Sequence, residues 1–140
     1  MSDRPIRVLC VDDNRLIADA LARRLDLEPD LEWAGWIEQT SDLDRVLRTR
    51  PDVVMLDIDM PGCDPFELVR RLAEASPSTR VLMFSGHVRT DYIDRAIDAG
   101  AWGYVSKNES IDDVLAAIRR VASGEFVTTS DVNAAYLAES

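Results

Sequence analysis

The sequence predicts an α/β fold: a single doubly wound, five-stranded parallel sheet with helices on both faces. Two observations predict it. Short apolar runs and amphipathic stretches alternate five times along the chain, and repeated β-then-α units connect by right-handed crossovers that leave the strands parallel and covered on both sides. A chain of 140 residues and 15.7 kDa also buries one real core but not two.

The elements follow in order. Arg7–Val11, Leu31–Ile37, Val53–Leu56, Val81–Phe84 and Trp102–Val105 are short and rich in Val, Leu, Ile or aromatic residues, as buried strands are. After the first strand, Leu16, Ile17, Ala20, Leu21 and Leu25 outline an apolar helix face, and after the second Leu43, Val46 and Leu47 outline another. The third strand leads to Asp64-Pro65, an N-cap followed by a first-turn proline, and then to Phe66, Val69 and Leu72 at helical spacing. Ile93, Ala96 and Ile97 follow the fourth strand. Ser110 with Asp113 resembles a capping box ahead of Val114, Leu115, Ile118 and Val121, and Gly124 stands where a helix is closed by glycine. Phe126–Ser140 holds only a weak helical pattern in Val132, Ala135 and Tyr136. The expected organisation is one domain over residues 1–124, with 125–140 as a tail or linker.

Charge and composition narrow the function. Sixteen basic against 26 acidic residues give a net charge of −10, which repels nucleic-acid phosphates and anionic lipid alike. No apolar run approaches the roughly 20 residues of a membrane helix, and Met1–Pro5 lacks the apolar core of a secretory signal. A cytoplasmic chain that binds neither membrane nor nucleic acid directly is expected. Cys10 and Cys63 have neither metal-ligand spacing nor the density of a disulfide framework. Fifteen of the sixteen basic residues are Arg and one, Lys107, is Lys, a compact point charge where the others are planar forks.

In an open α/β sheet, ligands bind beyond the carboxyl ends of the strands. The first strand ends in Asp12-Asp13, the third in Asp57, the fourth in Ser85-Gly86, and the fifth runs through Tyr104 to Lys107. Three carboxylates on one rim repel each other and call for a cation, and oxygen-only ligands point to Mg2+ or a similar hard ion. Three carboxylates, one divalent ion and one ammonium cancel. A phosphoryl group arriving there would meet a metal and an ammonium, and a serine hydroxyl could bond its oxygens.

Three segments carry a family resemblance: Val8-Leu9-Cys10-Val11-Asp12-Asp13, Val54 through Asp57 to Gly62, and Ala99 through Tyr104 to Lys107. Together and in this order they resemble the receiver domains of bacterial response regulators, over about residues 5–124. The resemblance is greatest to receivers that precede a helix-turn-helix domain in regulators of the nitrate-response and quorum-sensing type. It implies a flavodoxin-like strand order 2-1-3-4-5 and residues 1–124 as the receiver, the output domain being absent. It further implies Asp57 as phosphoacceptor from a sensor histidine kinase. Mg2+ would be held by Asp13, Asp57 and the backbone carbonyl of Asp59, with Asp12 acting through water. Lys107 would pair with the carboxylate or phosphoryl group. Ser85 would swing toward the phosphoryl group and Tyr104 would move inward behind it. Output would pass through the face of the fourth helix, fifth strand and fifth helix, with transcription as the regulated process. Catalysis would be limited to the domain's own Mg2+-dependent phosphorylation and dephosphorylation. Pro65 departs from the glycine usual in the family, and is compatible with the first turn of a helix.

Plainer roles stand beside these. Tyr104 on a central strand is also ordinary core, and Asp59 needs only its carbonyl for metal. His87 is by default an exposed loop residue, with control of phosphoryl lifetime as the alternative. Asp57-Ile58-Asp59 also resembles the first motif of haloacid-dehalogenase-like phosphatases, although there the motif usually opens the chain's first strand. A binding module that acts without phosphorylation is the third expectation. The fifth helix and the Tyr104 face offer a surface for a weak, phosphorylation-enhanced homodimer.

Overall fold

The computed structural model describes residues 4–39 and 42–139. Its elements are β1 (Ile6–Val11), α1 (Arg15–Leu25), β2 (Leu31–Ile37), α2 (Leu43–Leu47), β3 (Val53–Leu56), α3 (Pro65–Ala75), β4 (Arg80–Ser85), α4 (Thr90–Ala99), β5 (Gly103–Ser106), α5 (Ile111–Ala122), β6 (Val127–Thr128) and α6 (Ser130–Glu139). All strand pairs are parallel, in the order β2-β1-β3-β4-β5-β6. The expected order 2-1-3-4-5 is present.

Strands alternate their side chains between two apolar layers, as the period of two requires. Leu9 and Val11 of β1 and Val54 and Leu56 of β3 face a layer closed by α2, α3 and α4. Val8, Cys10, Val53 and Met55 face the opposite layer, closed by α1 and α5. Both faces of the central strands are therefore buried, which explains why their sequences read as continuous apolar runs.

Capping follows the sequence closely. The Asp64 carboxylate accepts from the Phe66 and Glu67 amides with Pro65 in the first turn, and the Ser110 hydroxyl accepts from the Asp113 amide. Gly124 just past α5 has φ of +95°, a left-handed conformation favourable only to glycine.

Three expectations are corrected. The helix face assigned to α1 is rotated: Ala18, Leu21 and Leu25 are buried, while Ala20 is exposed and Leu16 is 81% exposed. Asn14 caps the helix through the Leu16 and Ile17 amides, so the helix starts in a phase that sends Leu16 to solvent. On α4 the inward set is Ile93, Ala96 and Ala99, with Ile97 outward. The sheet has six strands, not five, and the stretch beyond Gly124 is no free tail, since it supplies β6 and α6. Two residues of strand give no readable period, so β6 carried no signal of its own. Val132 is fully buried; the side chains of Ala135 and Tyr136 lie outside those described.

Gly103 makes room for the sixth strand. A Cβ there would lie 2.6 Å from the Val127 carbonyl oxygen and 2.7 Å from Leu82 Cδ1. Gly103→Ala is expected to cost roughly 1–3 kcal/mol as an overpacking change and to raise hydrogen exchange at the Val127 amide, which now donates to the Trp102 carbonyl at 3.0 Å. An urea midpoint and Val127 exchange equal to those of the unmodified chain would show that β6 does not depend on this close approach.

Candidate functional site

Four parallel strands end on one rim, and their main-chain bonds hold the first residues beyond them. The Asp12 amide donates to the Ile37 carbonyl at 3.1 Å, the Asp57 amide to Val11 at 2.9 Å and the Lys107 amide to Ser85 at 2.8 Å. Asp12 and Asp57 are thereby buried, at 1% and 2% exposure, while Asp13 is exposed. One carboxylate oxygen from each of the three lies within 4.8 Å of the other two.

Lys107 is the counter-charge. Its Nζ lies 2.8 Å from Asp12 Oδ2 and 3.4 Å from Asp57 Oδ1, with the side chain 16% exposed. Burial, reinforced by the Asp12 charge, pushes the Asp57 carboxyl above the ordinary carboxylate range, with Lys107 opposing the shift. Burial alone would lower the Lys107 ammonium, but close contact with Asp12 and the Asp57 and Asp12 charges together outweigh it and raise it.

The carboxylates retain capacity for a cation. Asp12 Oδ1 accepts the Asn14 amide at 2.8 Å. The buried Asp12 Oδ2 meets Lys107 but has no aligned hydrogen-bond donor. Asp57 Oδ1 takes only a long bond, 3.3 Å, from the Asp59 amide. Three carboxylates against one ammonium leave net negative charge, and oxygen donors of this kind suit a hard divalent ion. The set fits a metal.

Ser85 and Tyr104 converge on the same rim but not on the carboxylates. The Ser85 hydroxyl donates to the His87 carbonyl at 3.1 Å and accepts the His87 amide at 3.0 Å. The Tyr104 hydroxyl donates to that same carbonyl at 2.6 Å. Tyr104 is fully buried, and burial pushes its phenol up to about 12. The inward position that the resemblance assigned to the switched state is thus already the one seen. The exposed His87 ring meets the exposed Asp59 carboxylate, Nδ1 to Oδ2, at 2.6 Å.

Two contributors escaped sequence analysis. The Trp36 indole donates to the Asp12 carbonyl at 2.6 Å, bracing the acidic turn from β2; a bulky indole ending an edge strand was the available signal. The His87 carbonyl gathers both hydroxyls, and a backbone atom leaves no trace in residue identity. Cys10, its thiol pushed up to about 12 by burial, is strand core. Trp102 packs under the Arg80 guanidinium, 4.7 Å from its ring centroid. The face expected for a dimer is covered on its Tyr104 side by β6, which pairs with β5. Among the described residues, no helix is long and apolar enough to cross a membrane.

Comparison with known proteins agrees on one family. The model of the response regulator receiver domain matches residues 8–119. The chain is 32% identical over 128 residues to the transcriptional regulatory protein YvfU of Bacillus subtilis, covering 91% of this chain and 64% of that protein. It is 34% identical over 142 residues to the transcriptional regulatory protein MctR of Rhizobium johnstonii, covering 99% of this chain and 66% of the relative. The chain thus spans about two thirds of the length of these relatives. A LuxR-family two-component response regulator from Aurantimonas sp. SI85-9A1 superposes with a TM-score of 0.84 at 25% identity, covering 96% of this chain and 97% of that one.

Removing either side of the charge cluster should have opposite effects on stability. Lys107→Ala leaves Asp12 and Asp57 buried and uncompensated, an expected loss of roughly 3 kcal/mol. Asp57→Asn removes a carboxylate whose raised titration means that ionisation opposes folding. It should stabilise the metal-free protein, and the advantage should grow as pH rises from the ordinary aspartate range through the raised value of Asp57. Urea midpoints across that range check both, and an Asp57→Asn protein less stable than the parent at neutral pH would refute the second.

Proposed function

This chain belongs to the response regulator receiver family, and from that membership we propose that Asp57 accepts a phosphoryl group from a sensor histidine kinase and so switches an output surface that regulates transcription. Receiver domains of this family are regulatory, which displaces the haloacid-dehalogenase-like hydrolase. The observation that carries the proposal is the buried Asp57 carboxylate facing Lys107 Nζ with Asp12 and Asp13 beside it.

In this mechanism an Asp57 oxygen attacks phosphorus as the bond from phosphorus to the kinase imidazole nitrogen breaks. An acyl phosphate and a free histidine result. Asp13, Asp57 and the Asp59 carbonyl would hold Mg2+, with Asp12 acting through water. When bound, the ion supplies positive charge to the phosphoryl oxygens in transfer and in hydrolysis. Lys107, already poised between Asp12 and Asp57, neutralises the same oxygens from the other side. Ser85 then leaves the His87 carbonyl for the phosphoryl group, while Tyr104 keeps its bond to that carbonyl. Residues 1–124 act as the receiver in the cytoplasm, and 125–140 lead toward an output domain like those that the longer relatives have room for. DNA contact belongs to that domain, and a weak phosphorylation-enhanced dimer would bring two of them together.

Intact mass after incubation with Mg2+ and acetyl phosphate tests the proposal. One phosphoryl group is expected on the parent chain and none on Asp57→Asn or on parent without Mg2+. Equal adduct on Asp57→Asn would move the acceptor elsewhere. Partner binding that is unchanged by loading would favour a module that acts without phosphorylation. His87→Ala opens the mouth of the site beside Asp59 and is expected to change the phosphoryl lifetime; an unchanged decay rate removes His87 from that role.

A further inference from the structure

The segment beyond Gly124 is attached to the strand that carries the switch tyrosine. β6 pairs with β5 through Gly103 with Val127 and Tyr104 with Thr128. The Ser106 amide, next to Lys107, donates to Thr129 Oγ1 at 3.4 Å. α6 packs on α4 and β5 and buries Val132 in the apolar layer that also holds Tyr104, Ile93 and Ala96. β5 therefore has β4 on one side, with Ser85, and β6 on the other.

The strand pairing is short. β6 contributes two residue pairs and also packs on α5, and among the described side chains of the segment Val127 and Val132 are buried, while Asn133, Ala134, Leu137 and Ala138 of α6 are exposed. Elements with few buried contacts at a sheet edge open at low free-energy cost and are the ones that conformational switches draw on.

We propose that residues 126–139 are a cis-acting cover over the β5 edge and α4, and that phosphorylation of Asp57 lifts it. The proposal rests on Asp57 being the phosphoacceptor. A phosphoryl group draws the Ser85 hydroxyl and the Lys107 ammonium toward itself. Both lie at the end of the β4–β5 pair, Ser85 opposite Ser106 in register. Ser85 withdraws from the His87 carbonyl and leaves the Tyr104 hydroxyl there. Lys107, drawn the same way, pulls on the end of β5 at Ser106, whose amide is bonded to Thr129, and β6, the strand with the shortest pairing in the sheet, is what yields. Lifting the cover frees one edge of β5, the strand at the centre of the expected output face.

Linkage makes the test reciprocal: if loading opens the cover, loosening the cover must favour loading. Hydrogen exchange of the full chain is measured with and without beryllofluoride and Mg2+, with bound stoichiometry read by native mass spectrometry on the same samples. Loading is expected to raise exchange at Val127, Thr128 and the α6 amides about tenfold or more, leaving β2 protected. Val132→Ala, which removes buried anchor contacts, and Thr129→Ala, which removes the acceptor of the Ser106 amide, should each raise that exchange without ligand. Each should also bind beryllofluoride more tightly, about threefold. Full loading with unchanged exchange at 127–139 overturns the cover and leaves the phosphoacceptor intact. Variants that exchange faster yet bind no tighter overturn the coupling. Absence of loading in the parent chain withdraws the phosphoacceptor and the cover together.

Discussion

The buried meeting of Lys107 with Asp12 and Asp57 is the constraint on which the rest of this molecule depends. Two carboxylates of 1% and 2% exposure are costly to bury among apolar strands without a cation beside them. One ammonium holds them apart but does not balance them once Asp13 is added. The site is therefore built with a surplus of negative charge, which a hard cation would relieve. Lysine suits this position better than another arginine would, because a compact ammonium moves between partners where a guanidinium fork fixes two at once. The Lys107 distances, 2.8 Å to one carboxylate and 3.4 Å to the other, are those of a charge shared unequally.

Rigidity around that charge comes from the sheet. Asp12, Asp57 and Lys107 each stand one place beyond a strand whose main-chain bonding continues past it, and the Trp36 indole fixes the Asp12 carbonyl from the neighbouring strand. The hydroxyls, in contrast, bond to a loop and not to the sheet. Ser85 and Tyr104 share one backbone acceptor on a loop whose side chain is tied to Asp59 by an exposed pair, and such a pair holds weakly in water. A cluster of charge held by the sheet beside hydroxyls bonded to a loop is an arrangement in which added charge draws on the hydroxyls before it moves the frame.

Much of this was legible in the sequence for identifiable reasons. Parallel strands buried on both faces write continuous apolar runs, and ligand-binding residues fall at their carboxyl ends, so Asp12, Asp13, Asp57, Ser85 and Lys107 could be placed on one rim from order alone. What failed was whatever residue type does not encode. The phase of α1 was misjudged because Leu16 is apolar and exposed, and the Asn14 cap that sets the phase acts through backbone amides. The His87 carbonyl is invisible because every residue has one. β6 is too short to show a period, and its cause lies 24 residues earlier in the missing side chain of Gly103.

That last relation bears on how the fold distributes its stability. A glycine in a strand brings no side chain to pack, and Gly103 opens the strand that leads to Lys107. The missing side chain makes room for the close approach of the Val127 carbonyl, which a Cβ would exclude. β5 is thus completed by a segment from outside the five repeating units, held by few contacts. The strand that leads to Lys107 is the one whose second neighbour is held by the shortest pairing in the sheet. If modification of Asp57 is what changes the surface, the shortest pairing stands where it can be lost, on that strand and not on β1 or β3, where loss would open the core.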